Sequence, residues 1–428
     1  MTTITDRHPA RPSPNTVPGM TAAATLLLAL CAFAPGAASA AGAADTDGFL
    51  YGTVTTASDS SYTGLLRWGN EEAFWDDLFN SGKVALPFFE EFGTDSPRGR
   101  TISILGKEFK VQWGASASSR HFVVRFGDID RIEVLGADEA NVHLRGGEVA
   151  HVKGMANDVS ATIAVRDASL GDVNVPWRKI QIIQFMATPA SVKPDAFRLA
   201  GKVETTQGTF DGFIQWDKQE CLSTDKLDGE DDDIEVALDM GQIRSIERDG
   251  GSASVVTLRD GRTMRLTGTN DVNDENRGIL VEDRRFGRVE VPWGAFRRVD
   301  FDESGASGPG YDSYRSGGPL RGVAKDRSGN SYTGRIVFDL DEAYGWEMLD
   351  GNDDEIVYSI PFGLVAKVEP RGSESARVTL RTGETLTLEG TQDVSDSNDG
   401  ILVFQGGATD EAVHIRWEEL DSLELTDR

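Results

Sequence analysis

The stretch GTNDVNDENRGILVEDRRFGRVEVPW, Gly268 to Trp293, returns near the C-terminus as GTQDVSDSNDGILVFQGGATDEAVHIRW, ending at Trp417. A looser copy, NDVSATIAVRDASLGDVNVPW, runs from Asn157 to Trp177. Trp177, Trp293 and Trp417 stand about 115 to 125 residues apart, far beyond the period of a solenoid repeat, so each copy is the size of a domain. A chain that repeats itself at this scale is expected to fold as three versions of one unit.

Two more landmarks recur in the same order. One is a strand pair about a polar turn: GTVTTASDSSYTGLLRW from Gly52, GKVETTQGTFDGFIQWD from Gly201 and GVAKDRSGNSYTGRIVFD from Gly322. The other is a hairpin with a Gly turn: VHLRGGEVAHVKG from Val142, VTLRDGRTMRLTG from Val256 and VTLRTGETLTLEG from Val378. Inside the third copy Gly329, Tyr332 and Asp339 match Gly383, Leu386 and Asp393 at one constant offset, and SIPFGLVAKVE and HIRWEELDSLE close the two halves alike. Each half reads as a hairpin, a third strand, and a final strand pair bent at a Pro-aromatic or Arg-aromatic corner. Val378, Leu380, Leu386 and Leu388 alternate with polar residues, the period-2 mark of strands with one buried face.

Short Gly-punctuated strands at this spacing favour small barrels. The G-x-V-x(n)-G-x-x-Y/F-x-G-x-I hairpin and the closing I-P-F-G-x-V-x-x-V-E pair make the halves resemble Sm-like or SH3-like barrels. What the resemblance implies is an all-β fold of three tandem repeats, each of two such barrels. The RNA binding of the Sm family does not come with it, because this chain is strongly acidic and lacks a basic loop after the final hairpin. The expected layout is a leader at 1–40, a first repeat at 45–186, a Pro-containing link at 187–198, a second repeat at 199–303, a flexible Gly/Ser-rich link at 304–319 and a third repeat at 320–428. The third repeat is therefore expected to move relative to the second.

Arg7 and Arg11 precede the apolar run TAAATLLLALCAFA, and small residues follow, the pattern of a secretory signal peptide cleaved after Ala40. The run is shorter than the ~20 residues of a spanning helix, and no apolar run of about 18 residues follows it. The expectation is a bacterial protein that is periplasmic or secreted, without an integral membrane segment once the leader is cleaved. Leu30 before Cys31 argues against lipidation there. Cys221 then stands alone, which rules out an intramolecular disulfide and leaves a buried apolar residue or a reactive thiol. A net charge of -27 repels phosphates and anionic headgroups, and no Lys/Arg block interleaved with aromatics offsets it, so no nucleic-acid partner is expected.

The first repeat carries an insertion, NEEAFWDDLFNSGKVALPFFEEFG, from Asn70 to Gly93. Phe74, Trp75, Leu78 and Phe79 fall at i, i+1, i+4 and i+5 opposite Glu71, Asp76 and Asp77, which predicts a short amphipathic helix over Glu71 to Asn80. It serves either as a lid over a barrel end or, if exposed, as a partner-binding patch. Carboxylates are the plentiful reactive groups. LDGEDDDIE and LDGNDDEIV place Asp228, Asp231, Asp232 and Asp233, and Asp350, Asp353, Asp354 and Glu355, on matched loops. Clustered oxygens suit a hard cation such as calcium, yet the order of a calcium loop is missing and Asp-Gly is itself a turn signal. Asp158, Asp271 and Asp393 recur in the opening motif and are read as turn caps, with Trp293 a core plug.

His143 and His151 flank Gly146-Gly147; across a two-residue turn they point to opposite faces and cannot share a zinc. No nucleophile elbow, phosphate loop or H-E-x-x-H occurs, and no catalytic residue is assigned. The leading reading is a non-catalytic exported module binding protein or glycan. A calcium-dependent structural or adhesion protein is the second. A hydrolase built on a carboxylate pair is the third, since spacing in a β fold does not reveal which carboxylates meet.

Overall fold

The alternation read from the sequence becomes strands with one buried face: YGTVTT at 51–56 alternates half-buried and buried side chains, and SARVTL at 375–380 does much the same. The computed structural model describes residues 46–84, 88, 101–104, 107–110, 120–154, 158–303, 305–314, 317–406 and 412–426. The expected leader, Cys31 and the distal part of the insertion lie outside the described residues.

The first strands are β1 (Tyr51–Thr56), β2 (Ser61–Trp68), β3 (Leu78–Lys83), β4 (Thr101–Ile104), β5 (Lys107–Lys110), β6 (His121–Arg125), β7 (Ile129–Val134), β8 (Glu139–Leu144), β9 (Val149–Lys153), β10 (Thr162–Asp167), β11 (Gly171–Pro176) and β12 (Ile180–Phe185). Next come β13 (Ala200–Thr205), β14 (Thr209–Gln215), β15 (Lys226–Asp231), β16 (Ile234–Asp239), β17 (Ile243–Arg248), β18 (Ser254–Leu258), β19 (Thr263–Leu266), β20 (Ile279–Asp283), β21 (Gly287–Val291) and β22 (Phe296–Phe301). The last are β23 (Arg321–Asp326), β24 (Ser331–Phe338), β25 (Met348–Asp353), β26 (Ile356–Pro361), β27 (Val365–Pro370), β28 (Ser375–Leu380), β29 (Thr385–Glu389), β30 (Ile401–Phe404), β31 (Ala412–Ile415) and β32 (Leu420–Leu425). The fold is all-β and antiparallel. No helix among the described residues is long and apolar enough to cross a membrane.

The first sheet has the order β11-β10-β2-β1-β12-β7-β8-β9-β3-β6. Its hairpin β1–β2 is flanked by β12 and β10, while the hairpin β8–β9 is flanked by β7 and β3. The two halves read from the sequence are thus exchanged, each hairpin lying on strands of the other half. The same exchange sets β13–β14 against β22 and β20, β23–β24 against β32 and β30, and β28–β29 against β27 and β25. These sheets stay open; they are not the closed barrels expected of each half. Alternation dictates which face of a strand is buried and says nothing about which strand lies beside it.

Strands β13 to β32, apart from β15 and β16, form one sheet, because β21 pairs with β26 through Arg288↔Ser359, Val289↔Tyr358 and Glu290↔Val357. Bends stand at the expected Pro-aromatic or Arg-aromatic corners, as single 3-10 turns at Phe126–Asp128, Trp177–Lys179, Phe362–Leu364 and Trp417–Glu419 that each join two strands; the like turn at Met240–Gln242 follows Asp239 and has neither feature. Trp293, read as a core plug, is buried with Trp177 and Trp417.

The helix expected at Glu71 to Asn80 does not form. Trp68 bridges back to Glu72, Phe49 bridges to Phe74, and the chain enters β3 at Leu78. The backbone is committed elsewhere: Ala73 O accepts from Leu50 N at 2.8 Å and Trp75 N donates to Gly48 O at 2.9 Å, while Asp77 Oδ2 closes the turn by accepting the N–H of Ala73 at 2.8 Å and of Phe74 at 2.9 Å.

One continuous core runs from Leu199 to Leu425. A second gathers Leu50 to Phe185 and also takes in Tyr311 and Trp346. Tyr311, in the expected Gly/Ser-rich link, packs tilted against Trp75 with ring centroids 4.5 Å apart and donates its hydroxyl to Ile129 O at 2.9 Å, so that link is anchored at its middle.

Candidate functional site

Three strand ends turn back sharply on themselves, with Trp68 bridging Glu72, Trp216 bridging Glu220 and Phe338 bridging Glu342. The residue after each aromatic takes a left-handed conformation: Gly69 at φ 59, Asp217 at φ 48 and Asp339 at φ 48. Glycine adopts this freely, whereas aspartate tolerates it through local hydrogen bonds. Two of the three turns therefore bury a carboxylate that the first lacks.

The opening motif supplies the next group. Asp158, Asp271 and Asp393 accept the backbone N–H of Asn80 at 2.6 Å, Asp228 at 2.7 Å and Asp350 at 2.7 Å. The same segment also receives Trp68 Nε1 at Asp158 O and Trp216 Nε1 at Asp271 O. These aspartates cap a distant strand rather than their own turn; turn capping falls to Asn273 and Asn276, which accept from Glu275 N and Gly278 N.

Two acidic clusters result. Oxygens of Asp217, Glu220 and Asp271 lie within 4.8 Å of one another, and those of Asp339, Asp341 and Glu342 do likewise, the spacing at which carboxylates can share one cation. Burial pushes the Glu220 carboxyl up to about 8, helped by Asp271 and Asp217. Burial also lifts Asp271 to about 6 and Glu342 well above its usual range.

The two clusters differ in the cations the chain supplies. Arg120 reaches Asp339 at 2.5 Å and Asp341 at 2.6 Å and also contacts Asp399, while Lys83 bridges Asp341 at 3.3 Å and Glu347 at 2.6 Å. At the other cluster Arg277 pairs with Asp217 at 2.8 Å, from a half-exposed position. Glu220 Oε2 and Glu342 Oε2 are buried with no hydrogen-bond partner.

The residues expected to bind a cation mostly stand elsewhere. Asp231, Asp232 and Asp233 form the tip of the β15–β16 hairpin, with Asp232 and Asp233 at φ 49 and φ 64. Asp353, Asp354 and Glu355 form the tip of β25–β26. Asp228 donates its backbone N–H to Asp271 and Asp350 donates its own to Asp393, and the carboxylates of Asp228 and Asp350 add to burial in pushing those of Asp271 and Asp393 up. The signal that was missed is W-D-x-x-E and F-D-x-x-E, Asp217 with Glu220 and Asp339 with Glu342, three residues apart across a tight turn.

Phe74, Trp75, Leu78 and Phe79 are 0–1% exposed, so they pack inward and present no surface patch. Trp75 lies against Phe185, and Arg198 stacks over Phe74. His143 and His151 stand on one face of the hairpin, not opposite faces, because β8 and β9 pair as His143↔Val149 and Asn141↔His151 about a three-residue turn. Each has its own partner: His143 meets Arg131 and Glu133, and His151 meets Glu139.

A different kind of site lies at the end of the first sheet. β11 pairs with β10 and, among the described residues, with no other strand. Beside it a groove of about 450 Å³ is lined by Thr56, Ser58, Ser60, Tyr62, Val173 and Lys179 among others, with no carboxylate. A free strand edge offers unpaired backbone donors and acceptors, and the groove offers room for side chains that alternate from an added strand. No family model, no curated protein and no solved structure matches this chain.

Proposed function

We propose that the chain is an exported, non-catalytic binding protein built of three copies of one unit of exchanged hairpins, and that it takes an extended protein segment at the β11 edge. The observation that carries this reading is the unpaired β11 beside an open groove, at a place where β21 receives β26. Backbone hydrogen bonds along the edge would provide affinity, and Tyr62, Val173 and Lys179 would select side chains. The acidic surface fits a partner in the cell envelope or outside it better than nucleic acid. Export itself rests on the leader at 1–40. The test is capture from envelope extract by immobilised chain, wild type against Asn174→Pro, which removes a backbone donor from the open edge of β11 and leaves the Val165–Val173 pairing with β10 in place. Bands retained by wild type and lost in the variant are expected; identical retention by both would remove β11 as the binding edge.

A second reading is favoured by Glu220 Oε2, buried and unpartnered beside Asp217 and Asp271: a calcium ion there that braces the fold. On this reading millimolar calcium raises the melting temperature of wild type and leaves Glu220→Gln unchanged. Superimposable wild-type melts with calcium and with chelator would end it.

A further inference from the structure

Tyr358 of β26 inserts between two aromatic rings where β26 pairs with β21, with centroids 6.2 Å from Phe210 and 5.7 Å from Phe286. The approach is close. A Cβ on Gly287, the first residue of β21, would meet Pro361 Cδ at 2.6 Å and Ser359 O at 2.9 Å. β11 has the same build: Gly171 opens it opposite Asp167 as Gly287 opens β21 opposite Asp283, Leu170 stands where Phe286 stands, and Tyr62 lies two residues before Gly64 as Phe210 lies two before Gly212. Around Gly171, however, a Cβ would meet nothing within 4 Å. The acceptor is present and unfilled.

The matching donor is unfilled as well. Among the described residues β16 pairs with β15 and no other strand, and it holds the place in its hairpin that β26 holds beside β25. Of the large apolar side chains among the described residues, the two most exposed are Leu170 at 64%, beside the acceptor edge, and Ile234 at 67%, at the start of the donor strand. An unpaired strand edge is a template for a strand of another chain, and each of these two edges also carries an exposed apolar side chain.

We propose that β11 of one copy takes β16 of a second copy as an added antiparallel strand. The β21–β26 register carries over directly: Asp172 faces Ala237, Val173 faces Val236 and Asn174 faces Glu235, with Leu170 and Tyr62 around Val236. One chain leaves both elements open, so each is filled by another copy, reciprocally in a closed dimer or successively in a chain. Both strands carry acidic residues, so association strengthens as salt screens them. This inference rests on the strand-capture reading of β11 and names its occupant.

Sedimentation velocity on the purified chain tests it, with Leu170→Asp and Ile234→Asp. Both side chains are exposed, so both variants should fold, as circular dichroism and melting will verify. The expected results are a wild-type mass that doubles or more on concentration and in higher salt, two monomeric variants, and recovery of a dimer when the variants are mixed. Recovery follows because Leu170→Asp keeps β16 and Ile234→Asp keeps β11. A wild type that stays monomeric, or an assembly that survives both substitutions, overturns self-pairing. If the monomeric wild type still captures envelope protein and Leu170→Asp does not, β11 remains a strand acceptor whose occupant is another protein.

Discussion

At the residue scale the buried carboxylates set the pH behaviour. Glu220 has its carboxyl raised from an ordinary 4.5 to about 8, so it is neutral in both the folded and unfolded chain below about pH 4.5. As pH climbs through 8 the unfolded chain has already released the proton that the folded chain still holds, and stability falls. Glu220→Gln keeps the neutral form, and the loss of melting temperature from pH 6 to pH 9 should be smaller in this variant than in wild type; parallel pH profiles would show that Glu220 is ionised in the fold. Asp158, Asp271 and Asp393 act through a different bond. Replacing any of them by Ala strands a backbone N–H and should cost about 1–3 kcal/mol in chemical denaturation, of similar size at all three positions. The recurrence of these aspartates was visible in the sequence; their acceptance of a donor from another strand was not, because Asp271 and the backbone of Asp228 are 43 residues apart. His143 and His151 teach the same point, since one extra residue in their turn moved them from opposite faces to one face.

At the scale of elements, strands and bends could be read from alternation and aromatic corners, while their partners could not. Val378, Leu380 and Leu388 are buried as their spacing implied, yet β28–β29 lies against β27 and β25 rather than against the strands that follow it. The misread helix at Glu71 to Asn80 has the same origin: Phe74, Trp75, Leu78 and Phe79 satisfy a helical stripe, but two cores and the Asp77 turn claim them separately. The paired edges allow a direct comparison of equivalent aromatics. Tyr358→Ala removes a ring that is 4% exposed between Phe210 and Phe286 and should cost about 3–5 kcal/mol, while Tyr62→Ala, at the open β11 groove, should cost less than about 1 kcal/mol. Equal losses in urea unfolding would mean that the groove at β11 is filled in solution even for the isolated chain.

At the scale of the molecule, cations placed inward hold a strongly acidic chain together. Arg198 reaches Asp76 at 2.7 Å and stacks over Phe74 and Phe213, Arg67 pairs with Asp225 at 2.7 Å, and Arg120 and Lys83 enter the acidic cluster around Asp341. Each joins residues more than 100 positions apart in the sequence, and Arg198 with Asp76 links the regions of the two large cores. The pair is nearly closed to water, with Arg198 at 3% and Asp76 at 10% side-chain exposure, so removing the cation leaves a buried carboxylate uncompensated. Arg198→Ala should therefore cost about 3–5 kcal/mol. It should also change the form of unfolding: scanning calorimetry of wild type is expected to give one transition, and the variant two, as the core from Leu50 to Phe185 and the core from Leu199 to Leu425 lose this buried tie and melt separately. A variant that melts in a single step at the wild-type temperature would show that the cores are coupled by Tyr311 and Trp346 instead, the two aromatics that the later sequence lends to the earlier core.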